Sequence, residues 1–171
     1  IDNVEELKVL VNEFSNFARM PASNPVSDNI KPIIQDAIRL YKETHKDIIF
    51  NFVDNDNVPT IKLDKEQMKR VMINLLDNAV AAIPGKGKIT VSLDHDEPLG
   101  VLRVEVTDTG TGIPKGDKDR LFEPYFSTKK SGTGLGLAIV SRIISDHSGF
   151  IRVEDNKPKG TKFIVELPTA A

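Results

Sequence analysis

Four short blocks in fixed order constrain this chain more than any other feature: Asn74-Leu75-Leu76-Asp77-Asn78-Ala79, then Asp108-Thr109-Gly110-Thr111-Gly112-Ile113, then Gly132-Thr133-Gly134-Leu135-Gly136-Leu137, and last Lys159-Gly160-Thr161. Each alone is weak, because Asp-x-Gly is a common turn and alternating glycines can be no more than a hinge. As a set they divide into an oxygen-rich helix, a turn open to close backbone approach, and a glycine loop at a helix start. Those are the parts of a nucleotide site.

The pattern around the blocks defines the elements. Val4, Leu7, Val11, Phe14 and Ala18 recur at spacings of three and four, a helical stripe of coiled-coil type that stops near Met20. Pro21 and Pro25 disfavour helix in the residues before them, so the intervening segment reads as a connector. Asn29 can cap a helix whose buried face is Ile33, Ile34, Ala37, Ile38 and Tyr41. Strands are expected over 48–53 and 60–63 around a polar turn at 54–57. Asp64, with Gln67 three residues on, forms a capping box for a long helix ending before Pro84. Strands over 88–94 and 101–107, a glycine-rich stretch over 109–134 with little periodicity, a helix over 135–148 ended by Gly149 as left-handed cap, and strands over 150–154 and 161–167 complete the reading. Strands and helices mixed without regular alternation predict an α/β fold, with helices on one face of a mixed, mostly antiparallel sheet.

At 171 residues the chain suits one compact domain plus an appendage. The expected division is a helix over 1–20, a linker over 21–29 and the domain over 30–168. The net charge of -2, with both signs spread along the chain, leaves no basic footprint, so no nucleic-acid partner is expected. Cysteine is absent, which excludes disulfides, thiolate metal sites and cysteine nucleophiles. No apolar run approaches the ~20 residues of a membrane span, so this piece is expected to be soluble. Because it opens at Ile1 inside a helical pattern, it reads as part of a longer protein whose remainder is expected to be membrane-anchored.

Asn74 and Asn78, four apart, project from one face of the long helix. Alone, the pair reads first as polar residues at the edge of the core. An amide oxygen is also a suitable neutral ligand for magnesium, which is usually completed by waters and phosphates. Asp108 sits at a strand end before a Gly-x-Gly turn. Adenine presents an exocyclic N6 donor where guanine presents an acceptor, so a buried carboxylate would bind the first and repel the second. Gly132, Gly134 and Gly136 precede a helix whose first amides and dipole favour anions. Leu121 to Phe126 puts an aromatic cluster in a polar stretch, best read as an anchor to the core, and Lys129 beyond it could neutralise phosphate charge. P-loop and dinucleotide glycine motifs are absent.

The order and spacing of the four blocks resemble the ATP-binding catalytic domain of sensor histidine kinases, within the superfamily that includes gyrase, Hsp90 and MutL. Features such as Ser127-Thr128-Lys129 and Phe17-Ala18-Arg19-Met20-Pro21 are similar to its nitrogen-regulation branch. The resemblance implies a two-layer α/β sandwich of Bergerat type, with ATP and Mg2+ as cofactors. It makes Asn78 the metal ligand and Asp108 the adenine reader, with Gly110, Gly112 and Ile113 beside the base. Asn74, Phe126, Lys129, Gly132, Thr133, Gly134, Leu135, Gly136 and Thr161 complete the nucleotide site. Hydrolytic relatives carry a glutamate base at the position of Asn74, whose amide has no useful basicity, so transfer is expected in place of hydrolysis. Ala81 and Ala82 depart from the lysine and aromatic residue that many sensor kinases carry there, which shifts phosphate neutralisation to Lys129.

The resemblance further implies a cytoplasmic domain of a homodimeric parent. It would pass the γ-phosphate to a histidine on a dimerisation helix of that parent, for relay to a response-regulator aspartate. None of the three histidines here qualifies as acceptor, since none is followed by glutamate. The acceptor and its glutamate are therefore expected upstream of Ile1, residues 1–20 belonging to the second dimerisation helix. His45, His95 and His147 read as surface residues. Two other readings stay open: a serine kinase of the anti-sigma-factor type, and a nucleotide-sensing interaction module without catalysis.

Overall fold

The computed structural model describes residues 2–55, 57–124, 126 and 134–169. Its elements in chain order are α1 (Asp2–Ala18), β1 (Val26–Asp28), α2 (Ile30–Thr44), β2 (Ile48–Asp54), β3 (Ile61–Leu63), α3 (Lys65–Ala82), β4 (Gly87–Asp96), β5 (Val101–Asp108), α4 (Lys115–Lys118), α5 (Gly136–Asp146), β6 (Phe150–Asp155) and β7 (Thr161–Pro168). Five strands form one sheet in the order β2-β4-β5-β7-β6. Only the β2–β4 pair is parallel, so the sheet is mixed and mostly antiparallel, as the sequence predicts.

Alternation along the strands produces the two layers. Ile89, Val91 and Leu93 of β4, Leu102, Val104 and Val106 of β5, and Phe163, Val165 and Leu167 of β7 are buried together with the apolar faces of α2, α3 and α5. Most of the residues between them are polar or charged, Ile164 being a buried exception, and Arg103 bridges Glu166 at 2.8 Å and Asp96 at 3.2 Å across the outer face. In α1, Val4, Leu7 and Val11 stay 56%, 59% and 51% exposed. Val26–Asp28, within the expected linker, forms β1 and pairs antiparallel with β3 in a separate two-stranded ribbon.

The junction between connector and domain corrects three expectations. The capping box is only half formed: Asp64 accepts from the Gln67 N–H, but the Gln67 side chain turns away to bond Ser23 and the Pro21 carbonyl. His147 fills the gap. It is buried, not on the surface; its Nε2 accepts from the Asp64 N–H at 2.9 Å, and Nδ1 lies 2.7 Å from the Ile143 carbonyl. An Nδ1–H tautomer satisfies both contacts. Gly149 is not the left-handed cap either. Ser148 takes that conformation at φ 59°, and the N–H groups of Ser148 and Gly149 bond the Ser145 and Ile144 carbonyls in a Schellman arrangement. Glycine is required at 149 because a Cβ there would lie 2.4 Å from the Glu166 carbonyl of β7.

Replacing His147 with alanine strands a backbone donor and opens a cavity, so urea unfolding should show a loss of about 2–3 kcal/mol. A loss below about 0.5 kcal/mol would mean the Asp64 N–H finds another partner. The Asn24 N–H, assisted by that of Gln67, holds the Asp64 carboxyl below its usual range in spite of burial. Its contribution to stability is therefore full above about pH 4 and is lost as the pH falls through the lower folded-state value. Asp64→Ala should flatten that acid limb.

Candidate nucleotide-binding site

A cavity of about 380 Å³ opens between α3, α5, the turn after β5 and the start of β7. The asparagines of α3 form one wall. Asn78 Nδ2 donates to the Asn74 carbonyl at 2.9 Å, one turn back along the helix. Asn74 Nδ2 donates to the Gly136 carbonyl at 3.2 Å and so ties α3 to the first residue of α5. Gly134 and Gly136 flank the start of α5 and line the cavity, so the positive end of the helix dipole lies at its wall.

The opposite wall is the end of β5. Asp108 is 3% exposed, and its Oδ1 accepts from the Gly110 N–H at 2.8 Å and the Thr161 N–H at 3.2 Å. Both bonds fall on one oxygen, which leaves Oδ2 for a ligand. Burial pushes the Asp108 carboxyl above the usual carboxylate range, against the pull of those two N–H groups. Two glycines make the packing possible. A Cβ on Gly110 would lie 2.4 Å from the Ala82 carbonyl, which receives the Thr111 N–H at 2.9 Å, so the turn is pinned to the end of α3. Gly160 has φ 109°, and a Cβ there would lie 1.9 Å from the Asp108 carbonyl.

Of the residues expected at the site, Asn74, Asn78, Asp108, Gly112, Ile113, Phe126, Gly134, Gly136 and Thr161 line this one cavity. Gly110 and Leu135 do not. Gly110 supports the turn from behind, and Leu135 is fully buried in the core. Lys129, Gly132 and Thr133 lie outside the described residues. Leu121 and Phe122 anchor the segment after α4 as expected, Leu121 by burial and Phe122 by an edge contact with Phe163 at 6.3 Å.

Asp77, Leu137 and Phe163 also line the cavity; the first two sit within the motif blocks, which assign them no role, and Phe163 lies outside every block. Tyr41 of α2 donates its hydroxyl to Asp77, and burial followed by that carboxylate pushes the phenol well above its ordinary pKa. Ala81 and Ala82 face the cavity too, where their short side chains bring no positive charge to the wall.

Residues 63–171 match the family model described as histidine kinase-, DNA gyrase B- and HSP90-like ATPase, and the chain belongs to that family. Its relatives are sensor kinases. The nitrogen regulation protein NtrY of Azorhizobium caulinodans is 35% identical over 179 aligned residues, spanning 100% of this chain but only 23% of that protein. The catalytic domain of histidine kinase ThkA superposes with a TM-score of 0.77 at 34% identity, covering 85% of this chain and 96% of that one. Histidine kinase ThkA in complex with response regulator protein TrrA matches over 99% of this chain and 49% of that one, at 28% identity and a TM-score of 0.82. The fold is the α/β sandwich of histidine kinase catalytic domains.

A carboxyl whose folded pKa is raised binds protons more tightly in the folded state. Its charge thus weighs against folding at neutral pH, and the weight lifts as the pH falls through the folded value. Asp108→Asn keeps an oxygen for both N–H donors and removes the charge. Thermal unfolding at pH 7 should give a Tm at or above the unsubstituted protein's, and a drop beyond ~5 °C would overturn this balance. Gly160→Ala should cost more than about 2 kcal/mol, because both the backbone conformation and the Asp108 carbonyl exclude a methyl group.

Proposed function

We propose that this domain binds Mg2+-ATP in the cavity, and that the parent protein transfers the γ-phosphate to one of its own histidines for relay to a response-regulator aspartate. The observation that carries this reading is the convergence on one cavity of a half-satisfied buried carboxylate, paired amides on α3 and the glycine-flanked start of α5. The donor set fits the ligand. Asp108 Oδ2 suits an exocyclic amine, and the amides of α5 suit phosphate oxygens. Among the described residues no group of three His, Cys, Asp or Glu side chains could hold a metal ion. Asn78 suits an ion that takes its other ligands from phosphates and water, and magnesium so held would neutralise phosphate charge.

Transfer is favoured over hydrolysis because position 74 offers an amide, already engaged with Gly136, where a base would be needed. The acceptor is placed on a histidine other than these three. Both ring nitrogens of His147 are engaged, and His45 stacks on Tyr41 with Nδ1 against its carbonyl. His95, beside Glu97 at the tip of the β4–β5 hairpin, is remote in sequence from every block of the site. The parent is proposed to be a membrane-anchored homodimer that presents this domain to the cytoplasm. No helix among the described residues is long and apolar enough to cross a membrane.

Calorimetric titration with non-hydrolysable analogues of ATP and GTP, each with magnesium, tests the site. The adenine form should bind far more tightly than the guanine form, and Asp108→Asn should weaken it by about a hundredfold, as expected for a bond to a charged group. Binding of neither analogue would sink the nucleotide reading. Transfer is tested by adding the parent's histidine-bearing helical domain with labelled ATP. Acid-labile label should appear on that domain, and binding without labelling would favour a nucleotide-sensing interaction module.

A further inference from the structure

We propose that Asn156 is a positioning residue for base recognition: it holds the main chain of Asp108 so that the carboxylate, and not the carbonyl, receives the Thr161 N–H. This rests on the reading of Asp108 as the group that meets the base. The β5–β7 ladder ends with Thr107 opposite Lys162, so Asp108 and Thr161 face each other at its last step. At that step the Thr161 N–H goes to Asp108 Oδ1 at 3.2 Å, and the Asp108 carbonyl is met by Asn156 Nδ2 at 2.9 Å. The amide is itself held in place. Nδ2 also reaches the Lys159 carbonyl at 3.2 Å, and the Asn156 N–H donates to the Gly160 carbonyl at 2.9 Å, closing the β6–β7 turn.

Asn156 does not line the cavity, so it acts through Asp108. Next to it, Asp155 pairs at 2.6 Å with Lys118, whose ammonium also donates to the Ile113 carbonyl at 3.3 Å. The turn between β6 and β7 thereby holds the carboxylate and a cavity wall from one side. Without the Asn156 amide, the Asp108 carbonyl becomes a free acceptor beside the Thr161 N–H. A carboxylate that loses that donor can rotate, and its second oxygen no longer has a fixed direction.

Asn156→Ala and the isosteric Asn156→Asp, which removes the donor, are compared with the unsubstituted protein and Asp108→Asn. Competition binding measures the ATP and GTP analogues, and thermal melting reports folding. Both Asn156 variants should bind the ATP analogue about tenfold more weakly, with the GTP analogue changed less than about twofold, so discrimination narrows. A purely structural role would weaken both analogues alike, and that result overturns the proposal. Unchanged discrimination in folded Asn156 variants, with discrimination lost in Asp108→Asn, overturns it alone. Discrimination retained in Asp108→Asn removes the base reading and this inference with it.

Discussion

The site is organised around one buried carboxylate that, among the described residues, has no cation beside it. Asp108 lies at the end of a central strand, almost fully enclosed, and its partners are neutral backbone N–H groups on a single oxygen. Burying a charge on such terms is costly, and the cost is tolerated where a ligand supplies the missing donor. The surroundings follow from it. Gly110 and Gly160 are glycines because backbone closes on the turn from both sides, and the β6–β7 turn wraps over to meet the strand end. The carboxylate trades stability for a directed acceptor.

Helix α5 connects this cavity to the connector. Its first residue is bound by Asn74, and its start is open to anions. The residue after its end, His147, takes the Asp64 N–H, and Asp64 in turn holds Asn24 of the connector while capping α3. Arg142, on the same helix, donates to the Phe17 carbonyl at the end of α1. A single rigid element thus touches the proposed phosphate end of the cavity and the joint with the N-terminal helix. Its anchors are neutral or charge-assisted hydrogen bonds in partly buried surroundings, where their loss is costly.

The cavity wall at Ala81 and Ala82 lies where α3 meets the Asp108 turn. The Ala82 carbonyl receives the Thr111 N–H, and its Cβ would lie 2.7 Å from a Cβ on Gly110. The end of α3 and the Asp108 turn are in close contact at Ala82, which leaves no room for a side chain at position 110, whereas Ala81 is exposed. Charge for the phosphates must come from elsewhere around the cavity, with the helix dipole of α5 one source.

Periodicity and turn chemistry determined the order of the main elements and the mixed sheet with its helical layer, because these depend on contacts close in sequence, while most cavity residues came from the resemblance carried by the four blocks. The helix caps at Asn29 and Asp64 were legible for the same reason. Only the tertiary structure decided where Gln67, His147 and Gly149 direct their bonds, because each answers to a group far along the chain: Pro21, Asp64 and Glu166. Asp77, Phe163 and Asn156 were hidden likewise, being ordinary residues of a helix, a strand and a turn until the sheet closes. A sequence specifies which groups a segment can offer. Which buried donor meets which acceptor across the fold is settled by packing, since every polar group taken out of water must find a partner wherever the chain brings one.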